Sequence, residues 1–208
     1  ILLCVIDEEH LLLNIGVSDT YSVFTRSFSV LLIALILYRH KQETILDDQL
    51  YIEVKNSLLS YYKQEMDYRG FDLRNGWAHG IAHCADAFDE LVGCKACTED
   101  INREVLDAIS LVLNAKDNIF NHGEGDRLTQ VIHSIFQNKL SKTKDLENWL
   151  KGLGEISGSE SLKLASSYQT FVVKENTRDL LRSLYFRFRE EHYATGLLNL
   201  IYETERMI

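Results

Sequence analysis

The sequence predicts an all-α protein, and three observations support that prediction. The 208-residue chain contains no proline and only 11 glycines, so few residues would interrupt a helix. Apolar residues recur at helical spacing along most of the chain, and the strict alternation that marks a half-buried strand is hard to find. Helix pairs with short loops recur roughly every forty residues, which favours antiparallel hairpins stacked as an α/α superhelix, a HEAT-like solenoid. A closed helical bundle is the alternative.

The apolar spacing and the loop residues divide the chain into nine predicted helices. These span Ile1–Leu13, Thr20–Arg39, Ile45–Met66, Trp77–Val92, Glu99–Ala115, Asp126–Leu140, Asp145–Leu153, Ser159–Val173 and Thr177–Arg206, the last with a break near Glu191. Ser18 and Asp19 are suited to cap the second helix, and Thr98 the fifth. The uncharged run Phe28–Tyr38 predicts a central helix that is buried on nearly all sides. It is shorter than the roughly 20 apolar residues that span a membrane.

Length and composition predict one helical domain over residues 1–208, because a hydrophobic content of 46% can fill a core. Three glycines near residues 152–158 predict a flexible joint: Gly152, Gly154 and Gly158. The first residue is Ile1 and no signal peptide is visible, so we expect that the N-terminus is incomplete.

The charge balance argues against two classes of partner. The formal net charge is −9, with 31 acidic and 22 basic residues. A nucleic-acid-binding protein would need a clustered excess of Lys and Arg, and so would a protein that binds an anionic membrane surface. We therefore expect no nucleic-acid partner and no membrane partner, and a soluble cytoplasmic protein.

The cysteines give little sign of a metal or redox site. Cys94 and Cys97 form a C-x-x-C pair, but about eleven helical residues, roughly 16 Å, would separate Cys94 from His83. All ligands of one zinc ion must lie about 2.0–2.3 Å from it. The pair is therefore expected to be incidental, with reduced thiols in a cytosolic protein.

The candidate site is the predicted helix Trp77–Val92, which carries two histidines four residues apart. His79, His83, Asp86 and Glu90 share one arc of the helical wheel, whereas Trp77 falls on the opposite, apolar side. Imidazoles at this spacing can bind one cation, and Asp86 could complete the ligand set. The segment lacks the glutamate of an H-E-x-x-H motif. The alternatives are a metal-free binding or catalytic site, or polar residues that face water.

A second polar segment begins the predicted sixth helix, at Glu124 and Arg127. Acidic residues at a helix start complement its dipole, so a capping role is the simpler interpretation. The functional interpretation is a loop that faces the histidine helix. His122 and His133 flank this segment, and either one could approach His79 or His83.

Four blocks of the sequence together resemble the DUF2785 family of uncharacterised bacterial proteins. They are FTRSFSVLLIALIL at Phe24–Leu37, E-x-D-x-R-G-F at Glu65–Phe71, G-W-A-H-x-x-A-H-x-A-D at Gly76–Asp86, and G-E-x-D-R-L at Gly123–Leu128. The resemblance implies a helical, α/α-superhelical fold in a soluble bacterial protein, and it implies no activity. The positions that it carries over are Arg26, Glu65, Arg69, Trp77, His79, His83, Asp86, Glu124 and Arg127.

Our leading hypothesis is a helical-repeat protein that binds a protein or small-molecule ligand. Its concave face would be lined by Glu65, Arg69, His79, His83 and Asp86, since helical solenoids present such faces. The second hypothesis is a hydrolase-like enzyme that uses a divalent metal on His79, His83 and Asp86, with a bound water as nucleophile. Only this second hypothesis requires a cofactor.

Overall fold

The computed structural model describes residues 2–114, 118–156, 160–190 and 195–208. In these residues helices alternate with short loops, and one two-stranded hairpin interrupts them, so the all-α prediction is confirmed. The helices are α1 (Leu2–Val5), α2 (Ser22–Gln42), α3 (Asp48–Gln64), α4 (Gly80–Val92), α5 (Glu99–Leu113), α6 (Glu124–Asn138), α7 (Thr143–Ile156), α8 (Glu160–Lys163), α9 (Ser167–Arg189) and α10 (Thr195–Met207). The strands are β1 (Phe71–Asp72) and β2 (Gly76–Trp77).

Helix α4 is the centre of the packing. It lies against α2 on one side and α6 on the other, and α6 in turn packs against α9. Helix α3 packs against both α4 and α5, while α10 contacts α7 and α9. The apolar side of α4 is fully buried at Cys84, Phe88 and Leu91, and the Tyr51 hydroxyl of α3 donates to the Leu91 carbonyl at 3.0 Å. The candidate site therefore lies on the best-supported helix of the fold.

Side-chain caps explain where several helices begin. Asp47 accepts a hydrogen bond from the Leu50 amide at the start of α3. Thr98 accepts one from the Ile101 amide, as predicted for α5. The prediction that Ser18 or Asp19 caps α2 is wrong, because the cap position is Tyr21 and no side chain bonds there. The Asp19 backbone takes a left-handed conformation with φ of 59° instead, and its amide donates to Asp67.

The predicted start of the histidine helix is also wrong. The helix begins at Gly80 rather than Trp77, because the preceding residues belong to the β-hairpin. Phe71 pairs with Trp77, and the Ala78 amide extends the pairing by donating to the Gly70 carbonyl at 2.9 Å. A hairpin with two residues in each strand is too short to show an alternating pattern in the sequence.

The sequence predicts that helix α2 is buried on nearly all sides, and this prediction is wrong. Val23, Val30 and Leu37 are fully buried, but Phe28 and Leu35 expose more than half of their surface. Among the described residues, α2 is the one helix that is long and apolar enough to cross a membrane, and half of its most apolar window is buried. The core helix of a soluble protein and a signal sequence both pass this test.

The C-terminal third differs in its helix boundaries from the prediction. The predicted helix Ser159–Val173 is divided, since α8 ends at Lys163 and α9 begins at Ser167. The expected break at Glu191 lies outside the described residues, between α9 and α10. Gly152 and Gly154 lie inside α7, while Gly158 lies outside the described residues, so the flexible joint stays a prediction.

All four cysteines are free thiols, with Cys4 exposed and the other three buried. Burial raises the pKa of both Cys94 and Cys97 to about 11. The two thiols are therefore protonated at neutral pH and poor nucleophiles, because the thiolate is the reactive species. Both side chains are part of the hydrophobic core.

Candidate functional site

The residue that joins the hairpin to helix α4 is His79, and its backbone is in the left-handed region. Its φ of 56° is uncommon for a residue with a side chain and is stabilised by the surrounding hydrogen bonds. The His79 amide donates to the Arg69 carbonyl at 3.0 Å, while its carbonyl accepts from the His83 amide at 2.9 Å. Strained residues of this kind cluster at functional sites. The hairpin therefore sets the direction of the His79 ring.

The buried ring of His79 is held by the loop before α6. Its Nε2 donates to the His122 carbonyl at 2.8 Å and lies 3.7 Å from Glu124 Oε1. The other Glu124 oxygen accepts from the His122 amide at 2.8 Å. Glu124 is only 2% exposed, so water screens the charge of its carboxylate weakly. Because Nε2 carries the proton in this arrangement, Nδ1 of a neutral His79 is an acceptor.

His83 lies one turn further along α4 and is also buried. Its Nδ1 donates to the Ser27 carbonyl of α2 at 3.3 Å. Burial lowers the pKa of His83 from 6.5 to about 4, an effect that nearby His79 and Arg127 reinforce. The ring is therefore neutral at physiological pH, and Nε2 is its unprotonated acceptor. In the described part of the chain, this nitrogen has no hydrogen-bond partner.

Five rings form a continuous row across this region, which we call the ring row: Phe71, Trp77, His79, His83 and Phe28. Successive ring centroids are 4.9, 4.7, 5.7 and 6.1 Å apart, distances typical of aromatic contacts. The two histidines in the middle are buried, whereas the other three side chains expose about half of their surface. The row therefore combines fixed polar atoms with accessible aromatic faces.

Gly70 makes room for the loop that holds His79. A β-carbon added at this position would lie 2.4 Å from His122 Nδ1 and 2.7 Å from His122 Cβ. The His122 ring itself contacts the edge of Trp77 at 5.7 Å. A side chain at residue 70 would thus displace His122, whose ring contacts both Trp77 and His79.

A separate ion-pair cluster precedes the hairpin in the chain and consists of Arg26, Glu65, Asp67 and Arg69. The fully buried Arg26 binds both oxygens of the fully buried Glu65, each at 2.7 Å. Arg69 binds both oxygens of Asp67, at 2.8 and 2.7 Å. The backbone connects the two pairs, because Glu65 Oε1 accepts from the Asp67 amide. Each charge in the cluster has an opposite charge in direct contact.

The polar side chains beyond His83 also pair with each other. Asp86 forms an ion pair with Arg127 of α6. Burial raises the pKa of Asp86, and the positive charge of Arg127 opposes that rise. Glu90 forms a further ion pair with Lys41 of α2. The acidic end of the arc thus fastens α4 to its two neighbours.

The structure brings some of the predicted site residues together and separates others. Trp77, His79, His83 and Glu124 lie next to one another, and of the two flanking histidines His122 joins them. His133 instead packs against Phe188 of α9. Glu65 is fully buried in the ion-pair cluster and does not line an open face. Arg69 contributes its backbone to His79 and keeps its side chain in the cluster.

The proposed metal ligands His79, His83 and Asp86 are each engaged by another group. Both imidazoles donate to backbone carbonyls, and the Asp86 carboxylate is paired with Arg127. Across the described ranges, no group of three or more His, Cys, Asp and Glu side chains is placed to hold a metal ion. The metal site stays a prediction, with Asp86 as its weakest member.

Three contributors to the site have no signal in the sequence. Phe28 belongs to a run that predicts a buried helix, Ser27 contributes only its backbone carbonyl, and Phe71 lies between two predicted helices. The short pairing of Phe71 with Trp77 places both rings beside His79. The sequence signal for a tight turn between them is the glycine at position 76, which takes a φ of 85° in the structure.

Comparison with known protein families supports the resemblance noted in the sequence. A family described as protein of unknown function (DUF2785) matches residues 11–186. The chain belongs to the DUF2785 family. The match covers the hairpin, the ring row and the ion-pair cluster, and it extends through most of α9. No curated protein and no solved structure matches the chain.

Proposed function

We propose that this DUF2785 protein is a binding protein and that its ligand is a small molecule seated on the ring row. The observation that carries the proposal is the combination of two buried, oriented imidazoles with half-exposed aromatic rings on both sides. Ligand sites combine apolar and aromatic walls with a few fixed polar groups. Trp77 and Phe28 would supply the walls, and His79 and His83 the polar groups.

The protonation state of His83 indicates the chemistry of the ligand. Because its pKa is about 4, the ring accepts a hydrogen bond through Nε2 and does not repel a cation with a charge of its own. The nearby buried Glu124 adds a negative potential. We therefore propose a ligand with an aromatic or planar apolar part and a neighbouring N–H or O–H donor. An amine-bearing aromatic compound would satisfy both requirements.

We further propose that the fold is an α/α superhelix of HEAT-like hairpins. Support comes from the succession of α2, α4, α6 and α9, in which each helix packs against the next. The helices that alternate with them also make contacts, α3 with α5 and α7 with α10. A soluble cytoplasmic location and the absence of nucleic-acid and membrane partners remain proposals from the net charge of −9.

The binding proposal is tested by fragment screening with protein-observed NMR. The probes are small aromatic amines, such as tryptamine and benzylamine, with toluene as the probe that lacks a donor. The indole N–H of Trp77 and the ring protons of His79 and His83 are the reporters, and the second tryptophan, Trp149, is the internal control. We expect the amines to shift the three site residues and to leave Trp149 unchanged. The His83→Ala variant should lose the response, whereas His133→Ala should keep it.

A uniform lack of response at Trp77, His79 and His83 at millimolar amine would contradict the proposed ligand class. Equal responses to toluene and to the amines would show that the imidazoles take no part. Shifts that are strongest at Trp149 or His133 would place the binding surface elsewhere. These results distinguish specific binding at the ring row from non-specific binding of aromatic compounds.

One observation favours the metal-dependent hydrolase as a second candidate. Metal-bound histidines commonly donate their other ring N–H to a backbone carbonyl, and both His79 and His83 do so. His79 Nδ1 and His83 Nε2 would be the ligating atoms, and a metal-bound water would be the nucleophile. Metal analysis of protein purified without added metal, beside the His79→Ala/His83→Ala double variant, tests this candidate. Equal metal content in both, or none in either, would eliminate it.

A further inference from the structure

A cavity of about 470 Å³ lies between the start of α2 and the β-hairpin, and we call it the hairpin cavity. Its volume falls within the range of about 300–1,000 Å³ that small-molecule sites occupy. Neither His79 nor His83 lines it, and Phe71 is the residue that it shares with the ring row. The hairpin cavity is therefore a separate place from the ligand site proposed above.

The charged side chains that line the hairpin cavity balance each other in sign. They are the carboxylates of Asp19 and Asp72 and the guanidinium groups of Arg69 and Arg74. Asp72 is already bonded, because its Oδ1 accepts from the Arg74 and Asn75 amides at 2.9 and 2.8 Å. Hydrogen bonds from these amides lower the pKa of Asp72, so its carboxylate is ionised at neutral pH. Asp72 therefore fixes the turn of the hairpin.

Arg69 holds the two walls of the hairpin cavity together. Its Nη2 donates to the Thr20 carbonyl at 2.8 Å on the α2 side, and its Nη1 donates to Asp72 Oδ2 at 3.3 Å on the hairpin side. The Asp19 amide donates at 3.0 Å to Asp67, the carboxylate that Arg69 also binds. The backbone of both walls is thus fixed without a ligand, which lowers the cost of binding one.

The other two charged groups of the hairpin cavity are available to a ligand. In the described part of the chain, neither the Asp19 carboxylate nor the Arg74 guanidinium has a hydrogen-bond or ion-pair partner. A simple anion would be attracted by Arg74 and repelled by Asp19, and the reverse holds for a simple cation. A ligand that carries both charges avoids either repulsion. The rings of Phe24 and Phe71 supply apolar surface beside these charges.

We propose that the hairpin cavity binds a small zwitterion, with its ammonium group at Asp19, its carboxylate at Arg74 and its apolar part against Phe24 and Phe71. Amino acids and dipeptides with apolar side chains belong to this class. The guanidinium group of Arg74 can bind a carboxylate through two parallel hydrogen bonds, and the ammonium group donates to the Asp19 carboxylate. This inference does not depend on the ring row, since neither histidine contributes to the cavity.

NMR titration of the full chain with L-leucine and L-leucyl-L-leucine tests the proposal. These probes have no aromatic ring, so they do not meet the requirements of the ring row. The reporters are the Asp19 amide and the side-chain N–H of Arg74, and the His83 ring protons are the internal control. We expect saturable shifts at both reporters and none at His83. The N-acetylated and the amidated dipeptide each lack one charge, and each should bind at least about tenfold more weakly.

Two substitutions assign each charge of the ligand to its partner. Asp19→Asn removes the carboxylate and keeps a residue type that tolerates the left-handed φ of 59°. It should weaken the dipeptide about tenfold and abolish the preference over the N-acetylated form. Arg74→Gln should abolish the preference over the amidated form instead. Glu53→Gln and Lys63→Gln are the matched controls, because both residues are exposed on α3 and outside the cavity, and they should change nothing.

The loss of one specific preference in each variant cannot arise from general misfolding, which would weaken all probes alike. Equal binding of the zwitterion and its two blocked forms to the wild type would overturn the proposal. So would an absence of shifts at Asp19 and Arg74 at tens of millimolar probe. Shifts at His83 without shifts at Asp19 would place the zwitterion on the ring row and would likewise contradict a site in the hairpin cavity.

Discussion

The ion-pair cluster and the ring row both adjoin the hairpin, yet they differ in how completely their polar atoms are bonded. In the cluster, Arg26 and Glu65 satisfy each other at full burial, and Asp67 and Arg69 repeat the arrangement. In the ring row, His83 keeps an acceptor without a partner in the described residues, beside aromatic rings that reach solvent. Polar atoms that all have hydrogen-bond partners hold the backbone in place, whereas an acceptor without a partner can bind a ligand. The four charged residues therefore stabilise the backbone around the hairpin, and the ring row carries the proposed ligand site.

The largest expected effect comes from breaking the cluster with Glu65→Ala. This change leaves the buried Arg26 without its counter-charge, so we expect a loss of about 3–5 kcal/mol in the free energy of unfolding. Urea denaturation measures it. Glu43→Ala removes the exposed partner of Arg39 and should cost at most about 1 kcal/mol. Similar losses in the two variants would show that the buried pair has no special role.

The second-largest expected effect is a fall in the free energy of unfolding on acidification, because of His83 in the ring row. Because the pKa of His83 is lowered to about 4, the unfolded chain binds a proton there between pH 6.5 and 4 while the folded chain does not. The stability associated with neutral His83 is therefore complete above pH 6.5 and is lost as the pH falls towards 4. The loss should reach about 2–3 kcal/mol. Urea denaturation at several pH values measures it, and His83→Asn should remove that part of the pH dependence. An unchanged slope in the variant would assign the effect to other groups.

Gly70→Ala tests whether the ring row depends on the close approach of His122. The added β-carbon would overlap the His122 side chain, so we expect a loss of about 1–3 kcal/mol and altered fluorescence of Trp77. Gly152→Ala is the control, because the position lies in α7 with no atom within 4 Å of the new β-carbon. It should stabilise the protein by about 0.5–1 kcal/mol. If both variants gained stability, the space beside His122 would be available after all.

The smallest effect concerns Arg127, which neighbours the ring row without joining it. In Arg127→Ala the pKa of Asp86 should rise further, because burial already raises it and the opposing positive charge is gone. The free energy of unfolding at pH 7 should change by at most about 1 kcal/mol, since the pair is partly exposed. Carboxyl-carbon NMR measures the titration of Asp86. A fall in its pKa would refute the assigned role of Arg127.

The sequence predicts the features that depend on neighbouring residues, and it does not predict contacts between distant segments. Helical spacing predicted the helices, and the capping preference of threonine placed the start of α5 at Thr98. The sequence predicts that His79 and His83 form the centre of a site and that His122 or His133 lies near them; His122 does, whereas His133 packs against Phe188. The α/α superhelix, the ligand and the metal remain predictions that need experiments.

The wrong predictions have a common cause, because the structure at each of these places depends on tertiary contacts that the spacing of apolar residues does not indicate. The start of α4 was misplaced since the pairing of Phe71 with Trp77 outweighs the helical pattern of residues 77–79. The sequence predicts that Glu65 faces a ligand, because nothing local indicates that Arg26, 39 residues earlier, donates to both of its oxygens. An apolar run also gives no sign of which face its own chain will cover, and α2 keeps one face exposed.

The path of the chain through the ring row has a consequence for folding. The site takes Ser27 and Phe28 from one segment, Phe71 to His83 from a second, and His122 and Glu124 from a third. Contacts between residues so far apart in the chain form after local helices, because each requires the closure of a long loop. During synthesis the His79 ring would lack its contacts to His122 and Glu124 until residue 124 has left the ribosome. A nascent chain arrested before that point can form the Arg26–Glu65 pair but not the His79–His122 hydrogen bond.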